Sequence, residues 1–163
     1  LAVVVMAAAM PVGSNALIFS QRYETLEAEA TAAIVFSTVM FVVTAPFLWA
    51  NHCHCSRCRK HSGAFGGTQG RVPREGFRLL AGDELIQVWR LDDGRVKAFC
   101  SVCGSSLFGG DWPEGDQVAI RLGALDGDPG VRPEFHTFVG SKAPWDELPD
   151  DGLPRYDEAY AGP

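Results

Sequence analysis

Hydrophobic and polar positions divide the chain near residue 50. From Ala30 to Ala50 there are 21 residues without a charged side chain. Ile34, Val35, Phe36, Val39, Met40, Phe41, Val42 and Val43 would cover every face of a helix, the pattern of a segment buried in lipid or deep in a large protein. Such a helix is about 31 Å long at a ~1.5 Å rise per residue, enough to cross a bilayer. Leu1 to Gln21 is also uncharged, but Pro11, Gly13, Ser14 and Asn15 interrupt it, which predicts a broken helix of the kind found in transporters. Residues 1–50 therefore read as an apolar helical segment with one transmembrane helix over 30–50.

Beyond residue 51 the pattern changes to short runs. Leu85 to Leu91 and Val96 to Cys100 flank Asp92-Asp93-Gly94-Arg95, a hairpin signal. Val118, Ile120 and Leu122 alternate with Ala119 and Arg121, a further strand. With 17 of the 18 glycines and eight of the ten prolines after residue 51, long helices have little room there. The fold class is mainly β.

Composition sharpens this division. A chain of 163 residues can form one domain plus an appendage, hardly two full cores. Of the net charge of -6, one arginine against three glutamates puts -2 in residues 1–50 and leaves -4 for the rest. No long basic run occurs, so nucleic acid is not an expected partner. Glu24, Glu27 and Glu29 precede the apolar span while Arg57, Arg59 and Lys60 follow it, and the positive-inside bias then puts a membrane-anchored cysteine domain on the cytoplasmic face. A signal peptide fits poorly, since no basic leader precedes the apolar run.

The five cysteines are an odd number and sit in two clusters, which argues for metal ligation rather than loop-closing disulfides. The first lies in NHCHCSRCRKHSGAFGG, where Cys53, Cys55 and Cys58 form C-x-C-x2-C. Alternate residues of an extended segment face opposite sides, so these thiols can share an ion only if the backbone curls around it. Three thiolates at ~2.3 Å from zinc leave one tetrahedral position open, as catalysis requires. The second cluster, Cys100 and Cys103 in FCSVCG, is a C-x2-C-G knuckle in which Gly104 permits a positive φ. Its flanks RVKAF and SSLFGG read as strands, against a redox C-x-x-C at the start of a helix.

Two resemblances follow. CHCSRCRKHSG, FCSVCGSSLF and RLGALDGDPGVRPEFHTFVGSKAPW occur in the order found in the glutathione-dependent formaldehyde-activating, or CENP-V/GFA, family, which residues 51–160 resemble. That resemblance implies a small Mss4-like zinc-binding β fold, a catalytic zinc on Cys53, Cys55 and Cys58, and a structural zinc using Cys100 and Cys103. It further implies a carbon-sulfur lyase that adds the thiol of glutathione to formaldehyde or a related small carbonyl compound. The family pattern begins with a further C-x-C on an N-terminal strand, which this chain lacks; Cys100 and Cys103 then make half a four-ligand site, to be completed by water, His136 or another group. The stretch from Ala7 to Ala50 resembles the last two membrane helices of auxin-efflux-carrier type permeases, and one complete span holds no transport path by itself.

Other residues have two readings each. Arg57, Arg59 and Lys60 would lower thiol pKa values, and Arg57 and Lys60 would bind an anionic substrate such as glutathione; a solvated basic turn is the alternative. His54 and His61 are proton carriers, further ligands or hydrogen-bonding neighbours of the metal loop. Trp145, Phe135 and Phe138 wall a pocket or pack in the core, Lys142 lies in the same family-like segment, and Asp126-Gly127-Asp128 is a turn. Two functional rivals to the lyase are a non-catalytic zinc-binding interaction module and an inactive fusion with a permease fragment. A fourth protein ligand beside Cys53, Cys55 and Cys58 would favour the first of these.

Overall fold

The computed structural model of the protein describes residues 5–8, 39–125 and 128–160; for residues 5–8 it describes the backbone alone. Strands β1 (Val5–Ala8), β2 (Met40–Val43) and β5 (Phe77–Ala81) form a three-stranded sheet in the order β1-β2-β5, with both pairings antiparallel. The second sheet has seven strands: β3 (Trp49–Cys53), β4 (Gly67–Pro73), β6 (Ile86–Arg90), β7 (Val96–Cys100), β8 (Ser106–Gly110), β9 (Gln117–Arg121) and β10 (Phe135–Thr137). Its order is β10-β3-β4-β9-β8-β7-β6, antiparallel except for β10 beside β3. The single α-helix among the described residues, α1 (Ser56–Ser62), follows β3 directly.

The sheets share one apolar core. From the small sheet, Phe41 and Phe77 stack edge-on against Phe108 of β8, with ring centroids 5.1 and 5.3 Å away, and Phe108 lies 4.3 Å from the Trp112 ring. Val39, Val43, Val72, Val118 and Ile120 are among its other members. Aromatic and β-branched side chains suit such a layer because they pack well on a pleated, buried surface.

The helix expected over residues 30–50 is absent from residues 39–50, the part of that span that is described. Residues 30–38 lie outside the described residues, but Met40–Val43 is strand β2 and Trp49–Cys53 is strand β3, with a non-helical connection between them. No helix among the described residues is long and apolar enough to cross a membrane. The physical reason is a period of two rather than 3.6. Val39, Phe41 and Val43 are buried while Met40 and Val42 are partly covered, and β2 pairs Phe41 with Leu79 and Val43 with Phe77. A strand therefore precedes Asn51 where the sequence reading has none, and it carries no cysteine. The remainder of the permease-like stretch, apart from the two short described pieces at 5–8 and 39–50, lies outside the described residues.

The hairpin at residues 86–100 forms as expected: Arg90 faces Val96, and the turn closes through Leu91 N–H to Arg95 O (2.8 Å) and Gly94 N–H to Leu91 O (3.0 Å). The β9 strand also forms, but Val118, Ala119, Ile120 and Arg121 are all buried, so its alternation marks two covered faces rather than one wet one. The side of the large sheet that carries Arg121 is the side on which the cysteine loop lies.

Candidate metal centre

At the end of β3 the chain turns from strand to helix, and this supplies the curl that three thiols need. His54 N–H continues the pairing with β10 by donating to Thr137 O (2.9 Å). Cys55, in an extended conformation, caps α1, its Sγ accepting a hydrogen bond from the Cys58 N–H at 3.3 Å. Cys58, one turn into α1, brings its Sγ within 3.5 Å of Cys53 Sγ. All three Sγ atoms lie within 4.8 Å of one another, and no other His, Cys, Asp or Glu among the described residues joins the group. Three sulfurs placed tetrahedrally at ~2.3 Å from one zinc would be ~3.8 Å apart, so the donor set fits that ion closely.

Two buried cations stand behind the group. Lys97 on β7, 7% exposed, donates from Nζ to Cys58 Sγ at 3.0 Å. Arg121 on β9 is equally enclosed and donates from Nη1 to Gln69 Oε1 at 2.7 Å. Hydrogen bonds with Cys53 and Cys55 hold the Cys58 thiol well below the ordinary thiol range, and the charges of Arg121 and Lys97 act in the same direction against its burial. The Cys53 thiol moves the other way, pushed up by its hydrogen bonds to Cys55 and Cys58 and by burial.

In front of the group opens a cavity of about 380 Å³ lined by all three cysteines. Its walls combine cations (Arg57, Arg71, Arg95, Lys97) with the aromatic rings of Trp49, Phe135, Phe138 and Tyr160. Of the two residues expected to bind substrate, Arg57 lies on this wall, paired with Asp93, whereas Lys60 points to solvent from the last turn of α1 and does not line it. Arg71, Arg95 and Lys97 escaped the sequence reading. For Lys97 a signal was present: a lone lysine inside the strand VKAFC is a charge that must be buried and paired.

The histidines are neighbours of the metal loop rather than members of it. His54 Nε2 and His136 Nδ1 are 2.9 Å apart, His136 Nε2 is 3.0 Å from Asp151 Oδ2, and His54 Nδ1 lies 3.7 Å from Asp146 Oδ2. Burial first, then the neighbouring His136, lowers the His54 pKa. His61 is lowered by burial and by Arg121 and Lys97; it lines a second cavity of about 450 Å³ on the far side of Cys58.

The knuckle at Cys100 and Cys103 closes through Gly104 N–H to Cys100 O (2.8 Å) and Cys100 N–H to Ser105 O (2.9 Å), and Gly104 takes the positive φ, 73°, that the motif predicts. Cys100 is buried, Cys103 is exposed, and all five cysteines are free thiols. His136 does not complete this pair, since it sits on β10, at the opposite end of the large sheet from β7. Trp145 neither walls the pocket nor packs in the core: it is 69% exposed. Phe135 is buried and faces the cavity with Phe138. Lys142 donates to Asp146 O at 2.7 Å. Asp128 binds Gly130 N–H and Arg132 as part of an exposed turn, and Asp126 lies outside the described residues.

Residues 32–141 match the family model described as "Glutathione-dependent formaldehyde-activating enzyme". A Halomonas elongata protein described as "Putative glutathione-dependent formaldehyde-activating enzyme" is 30% identical over 133 residues, covering 76% of this chain and 82% of that protein. Among solved structures, a crystal structure of a Rhodobacter sphaeroides protein aligns with 72% of this chain and 91% of its own at 18% identity and a TM-score of 0.47. The permease resemblance finds no counterpart among these relatives.

Proposed function

Because the chain belongs to the glutathione-dependent formaldehyde-activating family, we propose that it is a zinc-dependent carbon-sulfur lyase acting on glutathione, or a closely similar small thiol, and formaldehyde. The observation that carries this reading is a three-thiol group without a fourth protein ligand among the described residues, opening onto a pocket lined with cations. Cys53, Cys55 and Cys58 would hold the ion. Bound zinc supplies Lewis acidity, which keeps an incoming thiol deprotonated near neutral pH.

The chain's own residues do the rest. Cys55, fixed as the cap of α1, and Cys58, hydrogen-bonded to Lys97, keep the open side of the group turned toward the cavity. The aromatic wall excludes water from the reacting sulfur, and the cations attract an anionic thiol. In the reaction the substrate sulfur forms a bond to the formaldehyde carbon, and the carbonyl π pair moves to oxygen. That oxygen takes up a proton in place of the one the thiol released, giving S-hydroxymethylglutathione; cleavage is the same sequence reversed.

The test uses the full chain loaded with zinc. Exchange of formaldehyde between free and glutathione-bound forms, followed by magnetisation-transfer NMR, should run faster with the protein than without it. Cys55→Ala should abolish both the acceleration and the zinc stoichiometry. Zinc bound at full stoichiometry with no acceleration would instead support the non-catalytic zinc module.

A further inference from the structure

Four cationic side chains line the cavity in front of the thiols, and three are already paired. Arg57 and Arg95 share the carboxylate of Asp93, and Lys97 is bound to Cys58 Sγ. Arg71 differs. Among the described residues its side chain makes no hydrogen bond and no ion pair, and its buried Nε has no acceptor. The guanidinium is nonetheless firmly placed. Its backbone is locked between Trp49 of β3 and Ala119 of β9, and its Cζ lies 5.5 Å from the centre of the Trp49 ring. On the other side it packs against Gly110, where an added Cβ would come within 2.9 Å of Nη1. The carboxylate of Asp111 is near enough to act on its charge but forms no ion pair with it, so the half-buried guanidinium keeps a free planar fork, which suits a carboxylate.

Asn51 is 2% exposed and donates from Nδ2 to Thr137 Oγ1 at 2.8 Å, while its buried Oδ1 receives no hydrogen bond. Asn51 and Thr137 both line the cavity. Because Oδ1 is shielded from the cavity, the wall offers one unused anion-binding group, Arg71, beside the thiols. The cavity's volume lies within the ~300–1,000 Å³ range of small-molecule sites.

We propose that Arg71 determines the specificity of this pocket by binding a carboxylate of the thiol substrate. The site then selects a small cysteinyl peptide carrying a free acid and rejects uncharged thiols. This inference rests on the reading of the pocket as a thiol site, and its test separates the two.

The full chain is loaded with cobalt, whose absorption spectrum reports sulfur entering the coordination sphere, and titrated with glutathione and with glutathione dimethyl ester. Wild type should bind the acid about 10- to 100-fold more tightly than the ester, the scale of one charge-assisted hydrogen-bonded contact. Arg71→Met should lose most of that preference with little change in ester affinity, and Arg71→Lys should keep part of it. An undiminished preference in Arg71→Met would assign the carboxylate to Arg57 or Arg95 and overturn the proposal. Equal binding of acid and ester by wild type would overturn it without any variant, even if Arg71→Met failed to fold. A cobalt spectrum unmoved by either thiol would sink the thiol-site reading itself, and the inference with it.

Discussion

At the scale of single residues, the thiol group is set by what surrounds it as much as by its spacing. Cys53, Cys55 and Cys58 are legible in the sequence because C-x-C-x2-C admits few other uses, but the residue that tunes them, Lys97, is 39 positions from Cys58 and reaches it only through the sheet. Lys97 Nζ lies 3.0 Å from the sulfur of Cys58, and both residues are buried, where a charge acts more strongly than in water. Replacing it by methionine keeps the bulk and removes the charge. In metal-free protein, Lys97→Met should move the appearance of thiolate ultraviolet absorbance to higher pH. The sign follows from the folded Cys58 pKa lying below its unfolded value. The thiolate's contribution to stability is present above the unfolded thiol pKa and is lost as pH falls toward the folded one, so the variant should lose it earlier on acidification. Identical titrations for the two proteins would show that the hydrogen bonds from Cys53 and Cys55 suffice by themselves.

At the scale of elements, the hairpin of β6 and β7 and the knuckle after β7 were readable because their turn residues act locally: Gly94 and Gly104 both take positive φ. Strand β2 was not. Its outward residues Met40 and Val42, only partly covered, are as apolar as its inward ones, so the alternation that betrays a strand is missing from the sequence. Helix α1 was hidden for the opposite reason, having only Cys58 buried among seven residues and hence no apolar stripe to detect. The placement of β2 has a measurable consequence. Phe41 meets Phe77 and Phe108 at 5.2 and 5.1 Å, so Phe41→Ala should cost about 3–5 kcal/mol in urea unfolding. A chain starting at Asn51 lacks β2 and the first two residues of β3, and should fail to fold. A loss below about 1 kcal/mol for Phe41→Ala would mean that β2 is not part of the core.

At the scale of the whole molecule, the last segment of the chain closes the site, although the family match ends at residue 141. Beyond it the chain returns alongside β10: His136 N–H donates to Pro154 O, Tyr156 N–H to His136 O, and Phe138 N–H to Glu158 O, at 2.8, 2.9 and 3.1 Å. This return brings Tyr160 to 4.5 Å from the Phe135 ring and onto the cavity wall. It also brings Asp151 to His136, which in turn holds His54 between two of the three thiols. Nothing in the tail's own composition announces either task, because both depend on where β10 lies in the sheet. The two tasks can be separated by substitution. Tyr160→Ala should leave zinc affinity unchanged and weaken glutathione binding by about tenfold, since it removes wall and not ligand. Asp151→Ala should act on the ion instead: with His136 unanchored, His54 and the flanking thiols gain freedom, and zinc should pass to a competing chelator at lower chelator concentration than in wild type. Chelator titration and calorimetry on both variants test this division, and a loss of zinc affinity in Tyr160→Ala, or none in Asp151→Ala, would contradict it.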